Sequence, residues 1–331
     1  MRFAKLTLTT RRFPGLVATG VAVLALSACS SSSLPTLTGF AAVRDQAART
    51  ESAASDRATQ LAEVATDCAS CSAALRAVAA ASDERLEALG GLWDPWGGTP
   101  PEGASAPAAV SEAPTDVSAF VTWLARTATR DLEIAADTNR TSADEARTLS
   151  AAALGRYASA VTIAQAYGID LDAGLDQALL INDRVNAASR QGVQTWSIDL
   201  FDAPAISASF APSGKDLASS QELSSAVATW DCTASTLPQA QVSAGTLTDA
   251  YAVSGELLTR ADTALRAGAA DTRTPRCTLG FLDAPSLASN LLAADSAMLV
   301  SNSSDLRSAG ASAALADIQQ WAPRTPLPAL I

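Results

Sequence analysis

The sequence predicts an all-α protein: a multi-helix bundle, in one piece or as two packed helical subdomains. Apolar residues fill 48% of the 331 positions while aromatic residues fill only 5% and charged residues 17%, an alanine-rich balance. Alanine favours helices because it loses no side-chain entropy there and buries no polar group. Apolar positions recur at threes, fours and sevens over long stretches, the spacing of one helix face. Alternating runs that would mark strands are nearly absent, the one weak case being Gln194 to Phe201. Less than about 10% strand is expected, against roughly 20 to 25% in an average domain.

Residues 37–92 contain no proline, and Leu61, Val64, Ala65, Cys68, Leu75, Ala79, Leu86 and Leu89 make the inward stripe of one or two long helices. Arg44, Asp45, Glu63, Arg76, Asp83 and Arg85 decorate the other faces. Gly90 and Gly91 mark the stop. Residues 93–115 then form a Pro/Gly-rich linker, opening with Trp93-Asp94-Pro95-Trp96, whose two tryptophans are expected to pack across a helix end.

Residues 116–322 form the main helical bundle, packing with the N-terminal helices. Val117, Phe120, Val121, Leu124, Ala128, Leu132 and Ala135 share one face. Thr141 or Ser142, three to four residues ahead of Glu145, caps the next helix, which Gly168 ends. The aspartates of Asp170-Leu171-Asp172 resemble the opening of a calcium loop, but the glycine is misplaced and Ile181 stands where a glutamate is needed, so helix capping is the better reading. Pro204, Pro212 and Gly214 make a long excursion, where Trp196 and Phe201 are the candidate ligand or partner contacts. A helix from about 216 to 232 is expected to be broken by Leu237-Pro238. Helices at about 242–269, 284–300 and 303–320 follow, and 323–331 is a proline-rich tail.

Residues 1–28 read as a removable leader: Arg2, Lys5, Arg11 and Arg12 precede an apolar run from Leu16 to Leu26, too short for a spanning helix. Leu26-Ser27-Ala28-Cys29 resembles a bacterial lipobox in all four positions. The resemblance, to bacterial and specifically actinobacterial cell-envelope lipoproteins, implies that Cys29 becomes the acylated first residue, with 29–36 as a lipidated tether. Two acyl chains, at about 0.8 kcal/mol per methylene, anchor durably where one is marginal. The implied location is the extracytoplasmic face of the cell membrane or the cell envelope. Arg11-Arg12 leaves twin-arginine export open beside the general route, although Phe13-Pro14 departs from the usual continuation.

Export places Cys68, Cys71, Cys232 and Cys277 in an oxidising compartment, where an even number implies structural disulfides. A redox pair at Cys68-Ala69-Ser70-Cys71 would need to open a helix that follows a strand, whereas the stripe Leu61, Cys68, Leu75 runs a helix through it. A four-thiolate zinc site is the other minor reading. Because a bond from i to i+3 within a continuous helix is awkward, Cys68 and Cys71 are expected to bridge the Cys232 and Cys277 regions. The alternative pairs Cys68 with Cys71 and Cys232 with Cys277.

Chemistry is narrowed by what is missing. There is no histidine, which removes Ser-His-Asp and Cys-His catalysis and histidine-bearing metal sites, and Lys5 and Lys215 are the only lysines. Taking the leader's four basic residues from 23 basic and 34 acidic leaves a formal charge of −15, which repels nucleic acid and anionic lipid. Asp131 with Glu133, or Glu63 with Asp67, offer carboxylates, but such pairs more often lie on a solvated face. The shape resembles ferritin-like bundles, yet their Glu-x-x-His motifs are missing. No cofactor or metal is expected, and an enzyme is not. The expected function is a membrane-anchored helical binding or scaffolding lipoprotein, its partner an envelope protein, a cell-wall component or a small apolar ligand. The alternatives are a carboxylate-dependent envelope hydrolase, a carrier of a small apolar ligand, and a transport-system receptor, the last disfavoured by the lack of alternating strands and helices.

Overall fold

The computed structural model describes residues 36–99, 101–102, 104, 107–171, 210–244, 250–277 and 284–321, and among them it contains eight α-helices and no strand. The fold is all-α. The helices are α1 (Gly39–Val64), α2 (Ala69–Ala88), α3 (Val117–Ala136), α4 (Ala143–Tyr167), α5 (Gln221–Ala244), α6 (Ala250–Ala267), α7 (Ala284–Met298) and α8 (Ser304–Trp321).

Two helix clusters result. In the first, α1 pairs with α2 and α3 with α4, and α2 lies against α4; in the second, α5 pairs with α6 and α7 with α8, and α5 lies against α7. The first core centres on Leu75, Phe120, Leu124, Leu132 and Leu154, the second on Trp230, Leu257, Leu291 and Trp321. Helix α8 belongs to both: Ala311, Ala314 and Ile318 enter the first core, while Leu306, Ala313 and Trp321 enter the second. Arg307 fixes its entry. Buried at 2% exposure, Arg307 donates through Nη1 to the carbonyls of Ala135 and Thr141 and to the Thr141 hydroxyl, tying α8 to the turn between α3 and α4.

Local chemistry sets the helix ends. Ser142 and Glu145 form a reciprocal capping box on α4, and Gly168, at φ 67°, closes that helix in the left-handed conformation a side chain would resist. Asp116 caps α3 by accepting from the Ala119 amide at 2.9 Å. The small residues that predict helices also let them approach closely. A Cβ on Gly310 of α8 would stand 2.7 Å from the Met298 Cβ and 2.8 Å from the Asp295 carbonyl oxygen of α7, so hydrogen is the only substituent the contact admits.

Two expectations fail here. The helix does not run through Cys68: α1 ends at Val64, and Cys68 is extended at φ −133° and ψ 95° as the N-cap of a separate α2. Pro238 does not break its helix but lies inside α5. Proline has no N–H for the carbonyl four residues back, that of Ala234. The Ser254 hydroxyl of α6 donates to this carbonyl at 2.7 Å, so a neighbouring helix supplies the missing donor.

The segment after α2 is held along α1. Asp45 accepts from the Trp93 amide at 2.7 Å, Arg49 donates to the Ala108 carbonyl at 2.7 Å, and Arg57 donates to the Ala113 carbonyl at 2.9 Å. Trp93 and Trp96 are both half-buried.

Candidate functional site

Each cluster contains one buried polar centre to which all four of its helices contribute. In the first, Glu51 of α1 sits between Arg85 of α2 and Arg156 of α4, all three with no exposed surface. Arg85 Nε donates to Glu51 Oε2 at 3.0 Å and Arg156 Nε to Oε1 at 2.8 Å. Arg156 Nη1 also donates to Asp131 Oδ2 of α3 at 2.7 Å, while the half-buried Arg130 takes the other Asp131 oxygen at 2.7 and 2.9 Å. Two carboxylates and two guanidinium groups thus cancel in charge within the core.

Geometry separates the two arginines. Burial pulls the Arg85 guanidinium below its ordinary pKa; Glu51 opposes this and the like charge of Arg156 reinforces it. Burial acts on Arg156 as well, but Glu51 and Asp131 together outweigh it and hold that guanidinium above its ordinary value. Every oxygen of Glu51 and Asp131 faces a guanidinium N–H. A cation at this centre would have to displace one of them.

The second centre joins Trp230 of α5, Arg260 of α6, Asp295 of α7 and Asp317 of α8. Arg260 grips Asp317 through two bonds of 2.9 and 2.8 Å and lies over the Trp230 ring at 5.4 Å from its centroid. Phe210 meets the same ring edge-on at 5.0 Å. The Trp230 indole N–H donates to Asp295 Oδ1 at 2.9 Å, whereas Asp295 Oδ2 is 3.8 Å from Arg260 Nη1. One cation therefore faces two carboxyl groups. Burial first, then the charge of Asp317 and a hydrogen bond to it, pushes the Asp295 carboxyl well above the usual carboxylate range, against the pull of Arg260 and Trp230. The Asp295 carboxyl thus favours its protonated form more strongly than an exposed aspartate does.

The four cysteines form Cys68–Cys71 and Cys232–Cys277, with Cα separations of 5.2 and 5.3 Å. The expected bridges between the Cys68–Cys71 turn and the later cysteines are thereby corrected. The break at 65–68 frees Cys68 from helical geometry, so the short bond that a continuous helix would oppose closes easily. The two bonds differ in what they constrain: closing a 45-residue separation stabilises by about 4 kcal/mol in the loop-entropy model, closing three residues by only about 2. The segment leading to Cys277 is also strapped to α5 by Thr272, whose hydroxyl donates to the Ser224 carbonyl at 2.8 Å.

Cys29, Trp196 and Phe201 lie outside the described residues, as does the loop from Asp172 onward. Asp131 and Glu133 are not on a solvated face; both are buried, at 1% and 3% exposure, while Glu63 and Asp67 are exposed. Sequence reasoning missed Glu51, Arg156, Trp230, Arg260, Asp295 and Asp317, and placed Arg85 on an outward face. A signal was available for three of them: Arg156, Asp295 and Asp317 are each the lone charge in a run of small and apolar residues, 148–169, 284–304 and 308–321. A charge so placed must find a counter-charge on another helix.

These features define an all-helical protein of two packed clusters, each knitted by an internal polar centre, and among the described residues there is no group of three or more metal-ligating side chains. No family model, curated protein or solved structure matches the chain.

Proposed function

We propose that the chain is a lipid-anchored extracytoplasmic protein, held through Cys29, whose helical bundle binds or scaffolds another exported polypeptide of the cell envelope. The observation that carries this is the closure of both polar centres. Glu51, Asp131 and Asp317 are each occupied by guanidinium groups of their own chain, so the ionisable side chains of the interior lock helices together. A hydrolase would draw on a pair such as Asp295 and Asp317. Asp295 has no exposed surface and Asp317 is held bidentate by Arg260, which favours a structural part for them.

The described surface supports a contact role. Tyr251 and Leu258 of α6 are 75% and 44% exposed, two turns apart on one face, and nothing lies within 4 Å of a Cβ built on Gly255 between them. The same face continues into the exposed ion pair of Asp262 and Arg266, and an apolar stripe with a mixed-charge border suits a protein partner. A photo-crosslinking residue in place of Tyr251 tests the proposal in cells. The expected result is a discrete protein adduct that disappears when Cys29→Ser releases the chain from the membrane fraction. An unacylated Cys29 in membrane-bound wild-type protein, or no adduct at Tyr251, overturns it.

A further inference from the structure

The Cys68–Cys71 bond stands where a structural staple has little to do and where exchange chemistry is well served. It opens α2, with Cys68 as the N-cap, half-buried, and Cys71 one turn inside, buried at 4% exposure. An incoming thiolate therefore meets one sulfur before the other. The partners for both sulfurs after reduction are already in place. The Cys71 amide points at Cys68 Sγ from 3.2 Å and the Ser70 hydroxyl lies 3.3 Å away, two donors for a Cys68 thiolate, with the positive end of α2 behind them. Cys71 Sγ lies 3.4 Å from the Ala166 carbonyl oxygen of α4, an acceptor for a Cys71 thiol. Cys232–Cys277 lacks this arrangement: it joins α5 to a distant segment and serves to hold it. The helix start is what the chemistry needs, and it is present although a helix rather than a strand precedes it.

We propose that Cys68–Cys71 is a thiol–disulfide exchange centre whose substrate is a pair of thiols in another polypeptide. A substrate thiolate attacks Cys68 Sγ, forming a mixed disulfide; the Cys68–Cys71 bond breaks and its electron pair leaves with Cys71, which takes up a proton. The substrate's second thiolate attacks the substrate sulfur of that mixed disulfide and expels Cys68 as thiolate. The substrate pair loses two electrons and becomes a disulfide; the protein's pair gains them and ends as a Cys68 thiolate and a Cys71 thiol, the other proton released by the substrate thiols remaining in solvent. A low-molecular-weight disulfide running the same steps in reverse restores the pair. Exposed Glu63 and Asp67 precede the site and disfavour anionic substrates, while Val64, 73% exposed, offers an apolar contact. A neutral or cationic polypeptide is the substrate class. Anchoring at Cys29 is not required for any of this.

The full chain is mixed under native conditions with a cationic model peptide carrying two cysteines, with hydroxyethyl disulfide as terminal oxidant, then acid-quenched, alkylated and mapped by mass spectrometry. The expected result is a burst of one peptide disulfide per chain, with Cys68 and Cys71 alkylated and Cys232–Cys277 intact. The burst rate should exceed that of the free oxidised tetrapeptide Cys-Ala-Ser-Cys by about tenfold or more, since the donors held at Cys68 Sγ stabilise it as the thiolate expelled in the second step. Cys71→Ser, checked for helicity by circular dichroism, should retain the peptide on Cys68, and an anionic peptide should react more slowly. A rate equal to that of the tetrapeptide, or a Cys68–Cys71 bond that opens only when Cys232–Cys277 opens, overturns the proposal without reliance on any variant. A monothiol reacting as fast as the dithiol peptide overturns the polypeptide assignment.

Discussion

Replacing Glu51 by Gln is the sharpest test of how the N-terminal cluster is held. The substitution keeps the side chain's shape and removes the one carboxylate shared by Arg85 and Arg156, which donate to it at 3.0 and 2.8 Å. Arg156 retains Asp131, at 2.7 Å, whereas Arg85 loses the carboxylate at 3.0 Å and has the neutral Ser82 hydroxyl, at 2.9 Å, as its neighbour on α2. Breaking a buried ion pair from one side costs about 3 to 5 kcal/mol, because the remaining charge is left in a low-dielectric core. For a cooperative unit of roughly 150 to 250 residues that is a melting drop of about 6 to 20 °C. Urea unfolding followed by far-UV circular dichroism should show a lower midpoint with little change in slope. The companion variant carries Glu51→Leu, Arg85→Met, Asp131→Leu and Arg156→Met together and removes both signs of charge at once. It should come within about 1 to 2 kcal/mol of the wild type, since apolar packing replaces a network that had a large desolvation cost of its own. A Glu51→Gln loss under about 1 kcal/mol, or a fourfold variant less stable than the single one, would refute this account of the centre.

Three further outcomes follow from the second cluster. Asp295 keeps its proton in the folded chain at pH values where the unfolded chain, with a carboxyl pKa near 4, has lost it; stability should therefore fall as pH rises above about 4 toward the folded pKa. Asp295→Asn should flatten that slope and raise the urea midpoint at neutral pH, and an unchanged slope in a pH series would show that another group is responsible. Gly310→Ala gains up to about 1 kcal/mol of helix propensity but drives a methyl to 2.7 Å from the Met298 Cβ, and overpacking of about 1 to 3 kcal/mol should dominate. A higher urea midpoint for this variant would contradict the close contact of α7 and α8. Ser254→Ala should cost about 1 to 3 kcal/mol by leaving the Ala234 carbonyl without a donor, and much less in a Pro238→Ala background, where the helix regains its own N–H; equal costs in a double-mutant cycle would reject the link.

The sequence by itself determined the secondary structure and several of its boundaries, because those depend on interactions a few residues long. The stripe from Val117 to Ala135, the capping box of Ser142 and Glu145, and Gly168 at the end of α4 are all local, and all stand where their pattern placed them. The errors lie where a second segment outweighs a local rule. Pro238 is a helix breaker only if the Ala234 carbonyl goes without a donor, and Ser254, from the next helix, supplies one. Cys68 sits on a stripe with Leu61 and Leu75, yet a turn at 65–68 outweighs that periodicity and decides which cysteines can meet. Tertiary structure alone decided the two polar centres. Each takes one residue from each of four helices, and Glu51, among Arg49 and Asp56, looks like any other charge on an exposed face until Arg85 and Arg156 close on it. Pairing across helices leaves no periodic trace along the chain, because each partner's position is fixed by packing and not by its neighbours.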